Sequence, residues 1–192
     1  RNCIGMWLLS ECRRMWAKQG HEYDYATLTQ IATEAEPFTS LINPEDERFF
    51  KPDNMPSAIA GFCRETNQPE PTTHGATVRC VLESLALLYA QRLEEAQQLT
   101  GEPINRLHIV GGGSRNALLN QFTANACGVE VIAGPTEATA LGNVLVQAIT
   151  LGDLPDLESA RKVMGQSMDV VSFQPEDSAA WDEVKTRFKE LS

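Results

Sequence analysis

A chain of 192 residues, 42% of them hydrophobic and 22% charged, can fold around a hydrophobic core, and its composition excludes a disordered chain. Its net charge of −10, without any run of Lys or Arg, argues against nucleic acids and anionic membranes as partners. No apolar stretch approaches the roughly 20 residues that cross a bilayer.

The cysteine pattern and the start of the chain bear on where the protein works. The odd set of five cysteines has no C-x-x-C pair, which favours the reducing cytoplasm; a bridge between Cys63 and Cys80 stays open as an alternative. The chain begins without Met and enters an amphipathic segment at once. We therefore expect a piece of a longer, cytoplasmic protein.

The first 101 residues predict four helices with one irregular stretch between them. Apolar spacing and capping residues place the helices at about 2–18, 25–34, 56–65 and 73–100, with Asp24 as an N-cap and Gly20 and Gly101 at C-terminal ends. The stretch "FTSLINPEDERFFKPDNMP" predicts a packed loop with a short strand at 40–42. Its expected buried anchors are Leu41, Ile42, Phe49 and Phe50.

The pattern then changes to strand, glycine loop, helix, strand and helix. The predicted elements are a strand at 107–110, glycines at 111–113, a helix at 114–127, a strand at 129–133 and a helix at 136–150. Two strands joined by one helix predict a parallel sheet, and so few strands predict further strands upstream of Arg1. Two modest helices are expected in the tail, near 157–164 and 178–191, and the fold class is α/β.

The glycine loop in "LHIVGGGSRNALLNQ" is the strongest candidate for a binding site. One explanation of the three glycines is that they serve no purpose beyond forming a tight turn. However, this loop follows a predicted parallel strand and opens onto a helix, which is where α/β sheets bind ligands. It lacks the Lys of a P-loop, and the second strand ends in Ala133 and Gly134 instead of the acid of a dinucleotide site. The loop suits a nucleobase or a sugar–phosphate edge, with Asn116 expected one turn into the helix.

Other stretches carry weaker signals. In "GPTEATALGNVLVQA", Thr136 can cap a helix, and small residues through Gly142 permit close approach of either a ligand or a packed helix. The histidines His21, His74 and His108 have no metal-ligand spacing and are interpreted as structural or surface residues. No nucleophile motif is present.

Four blocks of the sequence resemble the FGGY carbohydrate kinases, in the order of that family. They are "RNCIGMWLLSE", "INPEDERFFKPDNM", "CVLESLALLYA" and the segment from "LHIVGGGSRN" to "LGNVLVQA", so the resemblance runs from Asn2 to about Ala148. Within the family, the kinases of L-rhamnulose are the most similar. The resemblance implies a helix-rich, incomplete C-terminal lobe of the actin-like, RNase-H-like ATPase fold over residues 1–192.

The resemblance also implies an activity and a set of contacts. The reaction is transfer of the γ-phosphoryl group of ATP, with Mg²⁺, to the 1-hydroxyl of L-rhamnulose. Adenosine would lie on Gly111, Gly112 and Gly113 beside Asn116, and Asn2 would contact the sugar. A further ATP contact falls on Ser10, where related kinases can carry the longer Gln.

The resemblance implies that the rest of the active site lies outside these residues. The general-base Asp and the Mg²⁺ and triphosphate contacts belong upstream and to an N-terminal lobe, the missing partner of this chain. We therefore expect the chain alone to be inactive, because phosphoryl transfer needs both sides of the cleft. A kinase for another ketose or polyol, a noncatalytic nucleotide-binding module and a dinucleotide-dependent oxidoreductase remain as alternatives.

Overall fold

The structure, a computed structural model, describes residues 5–167 and 169–191, with eight helices and three strands. The helices are α1 (Trp7–Lys18), α2 (Tyr25–Thr33), α3 (Met55–Glu65), α4 (His74–Thr100), α5 (Ala117–Cys127), α6 (Ala138–Leu151), α7 (Leu157–Ser167) and α8 (Ser178–Lys189). The strands are β1 (Arg106–Ile109), β2 (Glu130–Ala133) and β3 (Val171–Phe173). None of the described helices is long and apolar enough to cross a membrane.

Helix ends follow the capping residues of the sequence. The Asp24 carboxylate accepts the N–H of Thr27 at 2.7 Å and caps α2, which holds the pKa of Asp24 below its usual value. Gly101 ends α4 in the left-handed conformation, as predicted. Helix α1 begins later than predicted, since Gly5 and Met6 are not helical and residues 2–4 lie outside the described part.

Helix α4 forms the centre of the hydrophobic core. The predicted stripe on α4 is buried from Val78 to Leu93, and the helix packs against α2 and α5, with smaller contacts to α1 and α8. Burial on several sides explains why a helix of 27 residues carries apolar residues over a wide arc. The orientation of α2 and α5 is therefore set by α4.

The irregular stretch between α2 and α3 differs from the prediction. No strand forms at 40–42, because the Gln68 side chain accepts the N–H of Leu41 at 2.9 Å and donates to its carbonyl at 2.8 Å. Leu41, Ile42 and Phe49 are buried as predicted. Phe50 is 57% exposed, so its predicted burial is wrong.

The sheet is mixed, which corrects the prediction of a purely parallel sheet. β1 and β2 are parallel, with Ile109 opposite Ala133, as the βαβ pattern predicts. β3, which the sequence analysis missed, pairs antiparallel with β2. In the order β1-β2-β3, β1 is an edge of the described sheet, and strands upstream of Arg1 stay a prediction.

The cysteines within the described residues are free thiols. Cys63 and Cys80 are both buried and unbridged, so the alternative of a disulfide is wrong for this structure. Burial raises the pKa of Cys127 to about 12, which keeps that thiol protonated and unreactive at neutral pH.

Two histidines that are far apart in sequence meet at the start of α4. The His74 ring stacks on Trp16 with centroids 4.4 Å apart and lies 5.1 Å from the His21 ring. Its Nδ1 is hydrogen-bonded to the Tyr23 hydroxyl at 2.9 Å. Burial, and then His21, lower the pKa of His74, since both disfavour the charged ring.

This cluster predicts a loss of stability in mild acid. The unfolded chain protonates His74 near its ordinary pKa of 6.5 and the folded chain only at lower pH. Its contribution is therefore present above about pH 6.5 and lost as the pH falls toward the folded pKa.

We expect His74→Phe to flatten this part of the pH dependence in urea unfolding. The matched control is His108→Gln, at an exposed position, which should follow the wild-type curve; equal slopes for His74→Phe and wild type would contradict the prediction.

Candidate functional site

The glycine loop forms a tight turn at the carboxyl end of β1. Gly111 has a φ of +77° and donates its N–H to the Pro135 carbonyl at 3.1 Å. A single 3-10 turn, Gly112–Arg115, follows, and α5 begins only at Ala117. The predicted start of the helix at 114 is therefore wrong by three residues, because the 3-10 turn comes first.

Asn116 caps α5 instead of lying one turn into it, as was predicted. Its Oδ1 accepts the N–H of Leu119 at 2.9 Å, and its Nδ2 lies 3.5 Å from the Thr29 hydroxyl of α2. The residue is 7% exposed, and both ends of its side-chain amide already have a partner in the protein. Asn120 supports the same turn by donating to the Ser114 carbonyl at 2.9 Å.

A cavity of about 810 Å³ lies between the glycine turn and α2, within the size range of ligand sites. The turn and the start of α5 form one wall, and one face of α2 forms the other. The lining residues are Met6, Tyr25, Ala26, Thr29, Gln30, Gly112, Gly113, Arg115, Asn116 and Ala117. The cavity is called the glycine-turn cavity below.

The structure brings some of the predicted site residues together in this cavity. Gly112, Gly113 and Asn116 line it, whereas Gly111 shapes the turn behind it. Ser10 is not among the lining residues; its Oγ is hydrogen-bonded to the Tyr25 hydroxyl at 3.0 Å. Asn2 lies outside the described residues.

The sequence analysis missed the wall that α2 contributes. Tyr25, Thr29 and Gln30 share one face of a short helix, and such a face is indistinguishable in sequence from one that faces solvent. Only the packing of α2 on α4 turns it toward the glycine turn. Arg115 could have been found, since a cation two residues after a glycine loop can meet an anion there.

Gly111 and Gly112 have different reasons to lack a side chain. Gly111 needs its positive φ, which other residues adopt at a cost. A Cβ on Gly112 would meet no atom within 4 Å, and its φ lies outside the left-handed region. The fold therefore does not require glycine at 112, and the bare backbone there leaves room in the cavity for a ligand.

The second glycine-containing stretch does not reach the cavity. Helix α6 begins at Ala138, so the predicted cap by Thr136 is wrong. A Cβ on Gly142 would have no neighbour within 4 Å among the described residues, and α6 has no buried residue there. Tight helix packing within the described residues therefore does not explain the small face of α6.

No metal centre is formed within residues 5–167 and 169–191. No cluster of three or more His, Cys, Asp or Glu side chains in these ranges could hold an ion. His21 and His74 belong to the aromatic cluster at α4, and His108 lies exposed on β1.

Close packing at Gly75 sets the distance between α2 and α4. A Cβ at this position would overlap the carbonyl oxygen of Ile31 and lie 3.0 Å from its carbon. Because these are backbone atoms, the two helices would have to separate. Gly75 therefore fixes how far the α2 wall stands from the rest of the site.

We expect Gly75→Ala to lower the free energy of unfolding by about 1–3 kcal/mol, because the added methyl group forces α2 away from α4. Denaturant unfolding measures this loss. The matched control is Gly61→Ala in α3, where a Cβ meets nothing within 4 Å. That change should be neutral or slightly stabilising, since Ala is the better helix former; equal effects of the two changes would contradict the role of the close approach.

Curated relatives match the chain over nearly all its length. It is 49% identical over 189 residues to a rhamnulokinase of Bacteroides thetaiotaomicron, a match that covers 98% of this chain and 38% of the relative. It is 42% identical over 178 residues to a rhamnulokinase of Enterobacter sp. (strain 638), covering 91% of this chain and 35% of the relative. The chain thus spans little more than a third of these relatives' length.

Solved structures of sugar and polyol kinases share the fold. Xylulose kinase from Rhodospirillum rubrum aligns with a TM-score of 0.61 at 19% identity, covering 99% of this chain and 37% of that one. Plasmodium falciparum glycerol kinase with ADP aligns with a TM-score of 0.65 at 16% identity, covering 95% of this chain and 36% of that one. These likenesses assign the chain to part of an actin-like, RNase-H-like fold.

The model of the C-terminal domain of the FGGY family of carbohydrate kinases matches residues 1–151, which include both walls of the glycine-turn cavity. Residues 152–192, with α7, β3 and α8, follow the matched region. With this match over more than half of the chain and the 49% identical relative, the chain belongs to the FGGY family of carbohydrate kinases.

Proposed function

We propose that the complete protein containing this chain transfers the γ-phosphoryl group of ATP to L-rhamnulose, giving L-rhamnulose 1-phosphate and ADP. In this proposal, residues 1–192 are an incomplete C-terminal lobe that binds the adenosine part of ATP. The two rhamnulokinase relatives support the choice of sugar, and the family match supports the reaction class. The protein would work in the cytoplasm, where ATP is supplied.

The observation that carries the proposal is the bare backbone at Gly112. This residue lines the glycine-turn cavity, and neither its φ nor its surroundings require glycine. Backbone without side chains at the end of a parallel strand allows a flat ligand to lie against the chain. A nucleotide has both a flat base and a sugar–phosphate edge, and the cavity of about 810 Å³ is large enough for such a ligand.

The side chains of the cavity fit a nucleotide. The buried Asn116 donates one amide N–H to the Thr29 hydroxyl, so its second N–H is the group that can meet a ligand acceptor. Arg115 supplies a positive charge at the lining, which suits a phosphate oxygen. In the proposed site, Gly112 and Gly113 allow close approach, Asn116 orients the nucleoside, and Gly111 holds the turn.

The remaining parts of the reaction are assigned outside the cavity. Bound ATP supplies the phosphoryl group, and Mg²⁺ would be held by the N-terminal lobe, the expected partner of this chain. Asn2 is the proposed sugar contact, and Ser10 is proposed to support the nucleotide site through its hydrogen bonds to Tyr25 and to the Met6 carbonyl. Positioning ATP against the sugar is thus the contribution of this chain to catalysis.

A coupled assay of the complete protein tests the proposal. We expect ATP-dependent phosphorylation of L-rhamnulose, with lower rates on other ketoses and polyols, and no turnover by the 192-residue chain alone. Preference for another sugar would assign the protein a different substrate within the same kinase family. Binding of ADP without turnover on any sugar would instead support a noncatalytic nucleotide-binding module. Turnover by the chain alone would contradict the assignment of the general base and Mg²⁺ contacts to other residues.

A further inference from the structure

Among the described residues that line the glycine-turn cavity, Tyr25 is the only aromatic one. It is the first residue of α2 and is 42% exposed, although it is a large side chain beside an apolar wall. It also lines a neighbouring hollow of about 360 Å³ that contains Ser10 and Arg13. Tyr25 therefore borders both the glycine-turn cavity and this hollow.

The ring is held in place from the side of the hollow. Its hydroxyl is hydrogen-bonded to the Ser10 Oγ at 3.0 Å, and the Arg13 guanidinium carbon lies 5.0 Å from the ring centroid. Arg13 is itself fixed, because its Nε donates to the Tyr23 carbonyl at 2.5 Å. A side chain at an exposed helix end normally samples several rotamers, so these contacts preorganise the ring.

The contacts leave the ring suited to stack on a flat ligand. Arg13 covers one face of the ring, and Tyr25 lines both the hollow that contains Arg13 and the glycine-turn cavity. A cation over one face draws electron density from the ring, which favours offset stacking of an electron-rich heterocycle on the other face. Gly112 lines the same cavity and offers backbone without a side chain, which leaves room for a planar group beside the ring.

We propose that Tyr25 is the stacking surface for the nucleobase of the bound nucleotide, with Ser10 and Arg13 as positioning residues that fix its ring. This inference rests on the proposed function and adds to it a residue that determines affinity for the base. Base stacking on an aromatic side chain changes affinity by roughly 5- to 150-fold. In this proposal the triphosphate does not touch the ring, so the affinity for a triphosphate without a base should be independent of Tyr25.

The test compares Tyr25→Leu and Tyr25→Phe in the complete protein. Tyr25→Leu keeps apolar bulk without the ring, and we expect the KM for ATP and the inhibition constant of ADP to rise about 10-fold or more. Inhibition by inorganic tripolyphosphate, which has no base, should not change. Tyr25→Phe keeps the ring and should stay within about 3-fold of wild type, since only the bond to Ser10 is lost.

A matched control is Phe50→Leu, which removes an exposed ring outside the cavity lining and should leave all three constants unchanged. An unchanged KM for ATP in Tyr25→Leu, or an equal rise for tripolyphosphate, would overturn the stacking role while leaving the kinase assignment intact. A wild-type protein without sugar kinase activity overturns the proposed function instead. In that case, calorimetric titration of wild type and Tyr25→Leu with ADP tests the stacking role of Tyr25. Absence of ADP binding to wild type would overturn both the proposed function and the stacking role.

Discussion

Replacing Gly112 with valine is expected to raise the KM for ATP of the complete protein about 10- to 100-fold, with little change in its thermal midpoint. The added side chain meets no protein atom at its Cβ, so the fold tolerates it. In the proposed site the same atoms occupy space that the adenosine needs, and overfilling a closely packed site costs about 1–3 kcal/mol of binding. Steady-state kinetics with ATP varied at saturating sugar measures the effect.

Gly111→Ala is the control that separates fold from ligand binding. Gly111 has a φ of +77°, where an alanine is strained by about 1–2 kcal/mol, and it does not line the cavity. We therefore expect a lower thermal midpoint with a smaller change in KM. Normal ATP kinetics in Gly112→Val would contradict the assignment of this turn to the nucleotide.

Local features of the sequence predicted the parts of the fold that local interactions determine. Asp24 and Gly101 mark helix ends through contacts within one turn, and the βαβ order follows from handedness. β3 was missed because its three residues, Val171–Phe173, become a strand only by pairing with β2, about 40 residues earlier in the chain. The wrong prediction of a strand at 40–42 also has a non-local cause, because the backbone N–H of Leu41 is bound by the side chain of the distant Gln68.

The candidate site divides in the same way. The glycine turn follows from its own residues, and so the sequence predicted Gly112, Gly113 and Asn116. The opposite wall could not be predicted, because it depends on which face of α2 packs against α4. Even Asn116 took a different role, as cap of α5, because a 3-10 turn delays the start of the helix.

The contact that holds α2 on α4 leads to the prediction with the largest effect on stability. Arg79 of α4 donates from its Nη1 to the carbonyls of Ala32 and Ala35, at 3.2 and 3.0 Å, at the C-terminal end of α2. Its Nε donates to Glu83 at 2.7 Å, and the Glu83 side chain is 1% exposed. Arg79 thus satisfies both helix-end carbonyls and a buried carboxylate.

We expect Arg79→Leu to lower the free energy of unfolding by about 3–5 kcal/mol, because it leaves Glu83 buried without its cation. Urea unfolding measures the loss. Glu83→Gln should lower the free energy of unfolding less. In the structure the Phe38 N–H donates to Glu83 Oε2 at 3.0 Å, and the amide oxygen of Gln can still accept this bond. Equal losses for the two variants would contradict this account.

The pH dependence of Arg79→Leu gives an independent check of the same contact. Burial raises the pKa of Glu83 and Arg79 opposes the rise, so without Arg79 the pKa of Glu83 rises further. The folded variant then holds a proton on Glu83 at a pH where the unfolded chain, with a Glu pKa near 4.3, has already lost it. Its free energy of unfolding should therefore rise as the pH is lowered through the raised pKa of the folded state toward the ordinary pKa of Glu, and part of the loss is recovered. In the complete protein we also expect Arg79→Leu to raise the KM for ATP, because the lost bonds hold the end of α2, the helix that carries Tyr25 and Thr29. This increase should persist at lower pH, since a protonated Glu83 does not restore those bonds.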